Sequence, residues 1–163
     1  MKSLLIVFHS LTGGTRQMAA AAAREAEAAG EVHVVLRPAG QIGPTEVLGA
    51  DAYLFATPEN LAAISGVMKD FFDRTYYPVL GRIEGRPYAS MICAGSDGSN
   101  AARQIARIAA GWRLKEVAEP LIVCTHAQTP EAILAPKTIP RDDLQRCEDL
   151  GAALAQGLAL GIF

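Results

Sequence analysis

The sequence predicts an α/β fold: a doubly wound, five-stranded parallel sheet with helices on both faces. Three observations predict it. Short apolar runs alternate with longer stretches of helical periodicity, the pattern of repeated strand–helix units. The runs are continuous rather than alternating, as strands covered on both faces must be. The 163 residues, half hydrophobic and a fifth charged, fit one domain spanning 1–163 with a substantial core.

The elements follow in order. Leu4 to Phe8 is an unbroken apolar run and reads as the first strand. Thr15 to Ala29 is rich in Ala, Arg, Glu and Gln, all good helix formers, and Gly30 ends it. Val32 to Leu36 is β-branched and stops at Pro38, giving the second strand. Gln41 to Ala50, with Pro44 near its start, reads as a brief helix. Ala52 to Ala56 is the third strand, broken at Thr57-Pro58. From Ser65 to Tyr76, Val67, Met68, Phe71 and Phe72 recur at helical spacing between charged residues, one apolar stripe on an amphipathic helix. Tyr88 to Ala94 is the fourth strand, and Asp97 or Ser99 is placed to cap a helix that runs to Gly111. Leu121 to Thr125 is the fifth strand. The proline-bearing stretch from Thr125 to Pro140 is irregular apart from one turn of helix at Pro130 to Leu134. A final helix starts near Pro140-Arg141-Asp142, with Leu144, Cys147, Leu150, Leu154 and Leu158 on its buried face. No internal repeat, linker or low-complexity tail interrupts the pattern.

In an open parallel sheet, ligands bind beyond the carboxyl ends of the strands. The loop after the first strand, Ser10-Leu11-Thr12-Gly13-Gly14-Thr15, is built for an anion there. Two glycines let successive amides converge, Ser10, Thr12 and Thr15 add hydroxyls, and the helix N-terminus adds a favourable dipole. The loop lacks the Gly-Lys-Ser/Thr ending of a nucleoside-triphosphate loop and the GxGxxG dinucleotide fingerprint. It contains no cation, which suits a phosphate monoester held by neutral donors; Arg16 is the nearest charge and reads as a helix-surface residue.

These residues resemble the FMN phosphate loop of the flavodoxin-like proteins, and the resemblance extends over nearly the whole chain. Asp51 to Pro58 stands where that family has its third strand and first flavin loop, and Cys93 to Gly98 where it has the second. Ser65 to Arg74 and the Gly151 to Gly157 region are similar to helices of the NAD(P)H-dependent FMN reductases and multimeric quinone reductases of the same fold. The resemblance implies the strand order 2-1-3-4-5 and a non-covalently held FMN. It assigns Ser10, Thr12, Gly13, Gly14 and Thr15 to the phosphate; Thr57, Pro58, Glu59, Asn60 and Leu61 to one side of the flavin ring; and Ala94, Gly95, Ser96, Asp97 and Gly98 to the other. Thr57-Pro58 equally reads as a simple strand terminator, and Gly95 to Gly98 as a turn with an Asp or Ser cap.

One departure separates two expectations. Electron-carrying flavodoxins flank the ring with aromatic side chains, and neither loop here has one. An uncovered ring suits exchange with another planar molecule. The resemblance therefore implies an oxidoreductase that takes electrons from NAD(P)H and reduces flavin, a quinone or a similar acceptor, with a flavodoxin-type electron-transfer module as the alternative. No side chain is assigned as catalytic acid or base, because the cofactor carries the reaction.

The remaining features exclude more than they add. A net charge of −2 argues against a nucleic-acid groove. No run approaches a membrane span or a secretory leader, and Cys93, Cys124 and Cys147 form no metal or CxxC spacing, so a cytoplasmic protein without a metal site is expected. His9 reads as a structural histidine beside the site, and His126 as a weak candidate for a substrate contact. Trp112 reads as a core or rim residue, and Arg103, Arg107 and Arg113 as a solvated face. The partners expected are a small-molecule acceptor or a redox partner protein, with the apolar Leu158 to Phe163 end as material for a homo-oligomer contact; Tyr76-Tyr77 reads first as packing at a helix end, and otherwise as part of such a contact or of a substrate pocket.

Overall fold

The structure, a computed structural model, describes residues 1–163. Strand β1 (Lys2–Phe8) lies between β2 (Val32–Pro38) and β3 (Ala52–Asn60), and β5 (Pro87–Ala94) follows β3, all parallel. The fifth position is shared by β6 (Lys115–Glu116) and β7 (Leu121–Cys124), both parallel to β5. The main sheet therefore has the order expected for the flavodoxin-like fold, with its last strand in two pieces.

Alternation along β1 sorts the two cores. Leu4, Ile6 and Phe8 join a cluster with helix α1 (Gly14–Ala28) and helix α6 (Arg141–Leu160). Leu5 and Val7 join one with α2 (Pro44–Gly49), α3 (Gly66–Val79) and α4 (Ser99–Gly111). The clusters hold 23 and 22 buried residues, so both faces of the sheet are covered equally. On the first face, Gly151 of α6 rests on the Ala22 backbone of α1, an approach that any Cβ would block. On the second, Phe55 and Phe72 pack edge to face and tilt against the fully buried Trp112 indole, whose Nε1 donates to the Tyr76 carbonyl.

The structure corrects three sequence expectations. Strand β3 does not end at Thr57-Pro58 but runs to Asn60 and turns back into a short strand, β4 (Ala63–Ile64). Proline is tolerated because the Ala56 carbonyl accepts from His9 on the β1 side, and Pro58, two residues on, points the same way beyond the end of β1. The fifth strand is split around Pro120, which has no amide to give the ladder. Helix α4 is capped at Gly98 rather than by the side chain of Asp97 or Ser99, although Asp97 Oδ1 accepts from the Ser99 amide at 3.1 Å. Tyr76 stacks on Trp112 at the helix end and Leu158 lies on the buried face of α6, both as the sequence predicts, while Tyr77, Leu160 and Ile162 are exposed. No helix is long and apolar enough to cross a membrane.

Candidate functional site

A cleft of about 540 Å³ opens at the carboxyl ends of the strands. Three of its walls are the predicted loops. Ser10, Thr12, Gly14 and Thr15 line it from the first; Pro58, Glu59, Asn60 and Leu61 from the second; Ala94, Gly95 and Ser96 from the third. Four predicted residues do not line the cleft. Gly13, in the left-handed conformation (φ +93°), donates its amide to Ser10 Oγ at 3.1 Å and turns the chain into α1. Thr57 is fully buried, Asp97 is exposed outside the cleft, and Gly98 is the cap of α4.

The first loop has the features of an anion cradle. Gly14 lies so close to Cys93 that a Cβ there would approach the thiol to 2.7 Å, so only glycine fits without a shift. No side chain caps α1. Thr15 Oγ1 is buried without a hydrogen-bond partner. A buried hydroxyl left unpaired is costly, and a ligand oxygen would satisfy it. Burial pushes the Cys93 thiol up, against a weaker pull downward from the Lys137 charge and the neighbouring Thr15 hydroxyl, which comes near without reaching bonding geometry.

The second wall is a hairpin held from behind. Asn60 pairs with Ala63, leaving Leu61 and Ala62 as a two-residue loop with φ of +50° and +62°. Left-handed φ at both positions is what a type I′ loop requires, but it usually falls to Asn and Gly. Helix α4 holds the turn in place: Asn100 Nδ2 donates to the Ala62 carbonyl and Gln104 Oε1 accepts from the Ile64 amide. The Glu59 carboxylate accepts from the amides of Gly98 (2.9 Å) and Ala101 (3.1 Å), tying the hairpin to the third loop. Beneath it, Thr57 Oγ1 and Ser65 Oγ join His9 Nδ1 in a covered chain, with 2.9 Å between His9 and Ser65. Burial lowers the His9 pKa, in keeping with a neutral structural imidazole. No aromatic ring lines either wall, and Leu61 at the tip is fully exposed.

The sequence reading missed a fourth wall. After β7 the chain stays paired with the third loop, Thr125 and His126 donating to the Ala94 and Gly95 carbonyls at 2.8 Å each. It then crosses the cleft through helix α5 (Pro130–Leu134) and returns at Lys137, contributing Thr125, Ala127, Gln128, Ile133 and Lys137 to the lining; Leu11 and Cys93 complete it. His126 itself is exposed and does not line the cleft. Gln17 of α1 secures the strap, donating to the Gly13 and Lys137 carbonyls and accepting from the Ile139 amide. The isolated cues were the three prolines and the capping Thr129, which receives the Ala132 amide at 3.2 Å.

The fold defines a flavodoxin-like domain with an open cleft beside the first strand–helix turn. The family model for NADPH-dependent FMN reductase matches residues 45–129, just over half of the chain, and the chain belongs to that family. The matched span holds the second and third walls and starts after the cradle. A flavodoxin from Aquifex aeolicus is 29% identical over 98 residues, covering 60% of this chain and 53% of that protein. An NAD(P)H dehydrogenase (quinone) from Acidithiobacillus ferrooxidans is 30% identical over 95 residues, covering 46% and 48%. The chain thus spans about half the length of the curated relatives it matches. Among solved structures, an archaeal flavodoxin superposes with a TM-score of 0.76 at 19% identity, over 96% of this chain and 98% of that one, a likeness of fold.

Proposed function

We propose that the chain binds FMN in this cleft and works as an oxidoreductase, taking electrons from NAD(P)H and passing them to a quinone, free flavin or similar small acceptor. Ser10, Thr12, Gly13, Gly14 and Thr15 hold the phosphate in this reading. Pro58 to Leu61 of the hairpin and Ala94 to Ser96 of the third loop face the ring, with Thr57, Asp97 and Gly98 supporting them from outside the cleft. Bound FMN supplies the redox chemistry; the protein binds, orients and shields. The unpaired Thr15 hydroxyl and the uncapped α1 favour a phosphate at the first loop. The observation that carries the enzymatic part is the pair of walls without an aromatic side chain, which leaves room for a second planar molecule. Three free thiols fit a reducing, cytoplasmic setting.

The test is anaerobic addition of NADH or NADPH to the FMN-loaded protein, followed by a quinone or free FMN. Bleaching of the flavin absorbance by either nucleotide, and its return with the acceptor, is the expected result. Protein that dithionite bleaches but neither nucleotide does would instead favour an electron-transfer module. The likeness to a flavodoxin over 60% of the chain supports that second reading.

A further inference from the structure

The phosphate cradle carries no charge of its own. Arg16, the nearest cation in sequence, is exposed with its guanidinium 5.3 Å over the Phe8 ring. The fold brings in another cation from 122 residues beyond Thr15. Lys137 is half-buried in the cleft wall, and its Cβ lies 3.5 Å from where a Cβ on Gly14 would stand. Its amide donates to the Thr12 carbonyl at 2.9 Å, so its backbone is pinned to the cradle. Its ammonium donates to the carbonyls of Ala132, Ile133 and Ala135 at 2.7, 2.8 and 2.6 Å, closing the end of α5. Those carbonyls orient the ammonium without removing its charge. That charge reaches the cleft floor, where it opposes the rise in the Cys93 thiol pKa that burial causes. An independent feature of the same place, the buried and unpartnered Thr15 hydroxyl, calls for a ligand oxygen.

We infer that Lys137 supplies the positive charge for the phosphate of the bound mononucleotide, delivered by the strap that closes over the cradle. The inference rests on the FMN reading of the cleft. A phosphate monoester carries about −1.5 to −2 charges at neutral pH, and a cation partly withdrawn from water acts on it through a lower effective dielectric than a surface lysine would. One residue then does two things: its carbonyl contacts hold the strap, and its charge selects phosphorylated over unphosphorylated flavin.

The test titrates flavin-free, full-length protein with FMN and with riboflavin, at low and high salt, for wild type, K137M and K137R. The charge role predicts that K137M loses about tenfold in FMN affinity, with riboflavin changed by less than about twofold. It also predicts that salt weakens FMN binding to wild type and K137R more than to K137M. Unchanged riboflavin binding shows that K137M is folded, and K137R retains most of the FMN affinity. Equal weakening of both ligands in K137M would mean that Lys137 only clamps the strap and would overturn the inference, as would no effect on either. Wild-type protein that binds FMN no more tightly than riboflavin would instead contradict the phosphate reading, and this inference with it.

Discussion

The carboxylate of Glu59, on the second wall of the cleft, caps helix α4 by accepting the Ala101 amide at 3.1 Å, while its other oxygen takes Gly98 at 2.9 Å. One side chain therefore joins the hairpin to the loop on the opposite side of the cleft. Charge at a helix N-terminus adds to the two hydrogen bonds. Glu59→Ala is expected to cost about 1–2 kcal/mol, and Glu59→Gln, which keeps one acceptor, less. Urea denaturation of the flavin-free protein checks this, and an unchanged midpoint in Glu59→Ala would refute the capping role.

Thr15→Val separates binding from stability, because the two respond with opposite sign. Removing a buried hydroxyl that has no partner, at constant shape, is expected to stabilise the flavin-free protein by about 1 kcal/mol. The same change removes the proposed phosphate donor and is expected to weaken FMN binding by about tenfold. Thermal unfolding and FMN titration are read on the same preparation. Loss of stability in the valine variant would show that Thr15 is satisfied within the chain.

The hairpin tip stores strain. Ala62 holds a left-handed φ of +62° that a residue with a Cβ adopts at a cost of roughly 1–2 kcal/mol. Ala62→Gly relieves this and is expected to raise stability by about 0.5–1 kcal/mol after the added freedom of the unfolded chain is counted. The Asn100 bond to the Ala62 carbonyl is a backbone contact and survives the change. A lower midpoint in urea would contradict a strained turn.

Glu148 of α6 links the first core across its surface. Its carboxylate meets Arg141 through Nη1 at 2.7 Å and Nη2 at 2.6 Å, and also contacts Arg24 of α1. The Arg141 hydrogen bonds, chiefly, hold its pKa below the usual carboxylate range against the effect of burial. A depressed folded pKa means stability that is present above the ordinary glutamate range and lost as pH falls through the folded value. Unfolding midpoints measured from neutral to acid pH are expected to fall less steeply in Glu148→Gln than in wild type. Parallel curves would show that this carboxylate does not drive acid unfolding.

The sequence made the sheet legible because its central strands are unbroken apolar runs: β1 and β5 have one reading, and Leu4 to Phe8 is buried throughout. That the loop before α1 lines the cleft was legible for the same local reason, since its glycines and hydroxyls sit within six residues. Features that depend on distant partners were not. Strands of two residues, as in β4 and β6, are too short to show a period, and the Leu61-Ala62 turn lacks the Asn-Gly chemistry that announces a hairpin. Glu59 was placed by its position in the loop, but nothing local reveals that its carboxylate turns toward α4. Lys137 reads as one charge among prolines until the strap is folded back against Thr12.

The central claim is that a flavin phosphate sits in the cradle of Ser10 to Thr15, with its ring between the Thr57–Leu61 and Ala94–Gly98 loops. Amide chemical-shift mapping on addition of FMN to isotope-labelled, flavin-free protein tests it most directly. The predicted result is saturable shifts at Thr12 to Thr15, at Glu59 to Leu61 and at Gly95 to Ser96, with Gly157 and Gly161 at the opposite end unmoved. Shifts elsewhere without these, or none at a millimolar excess of FMN, would contradict it.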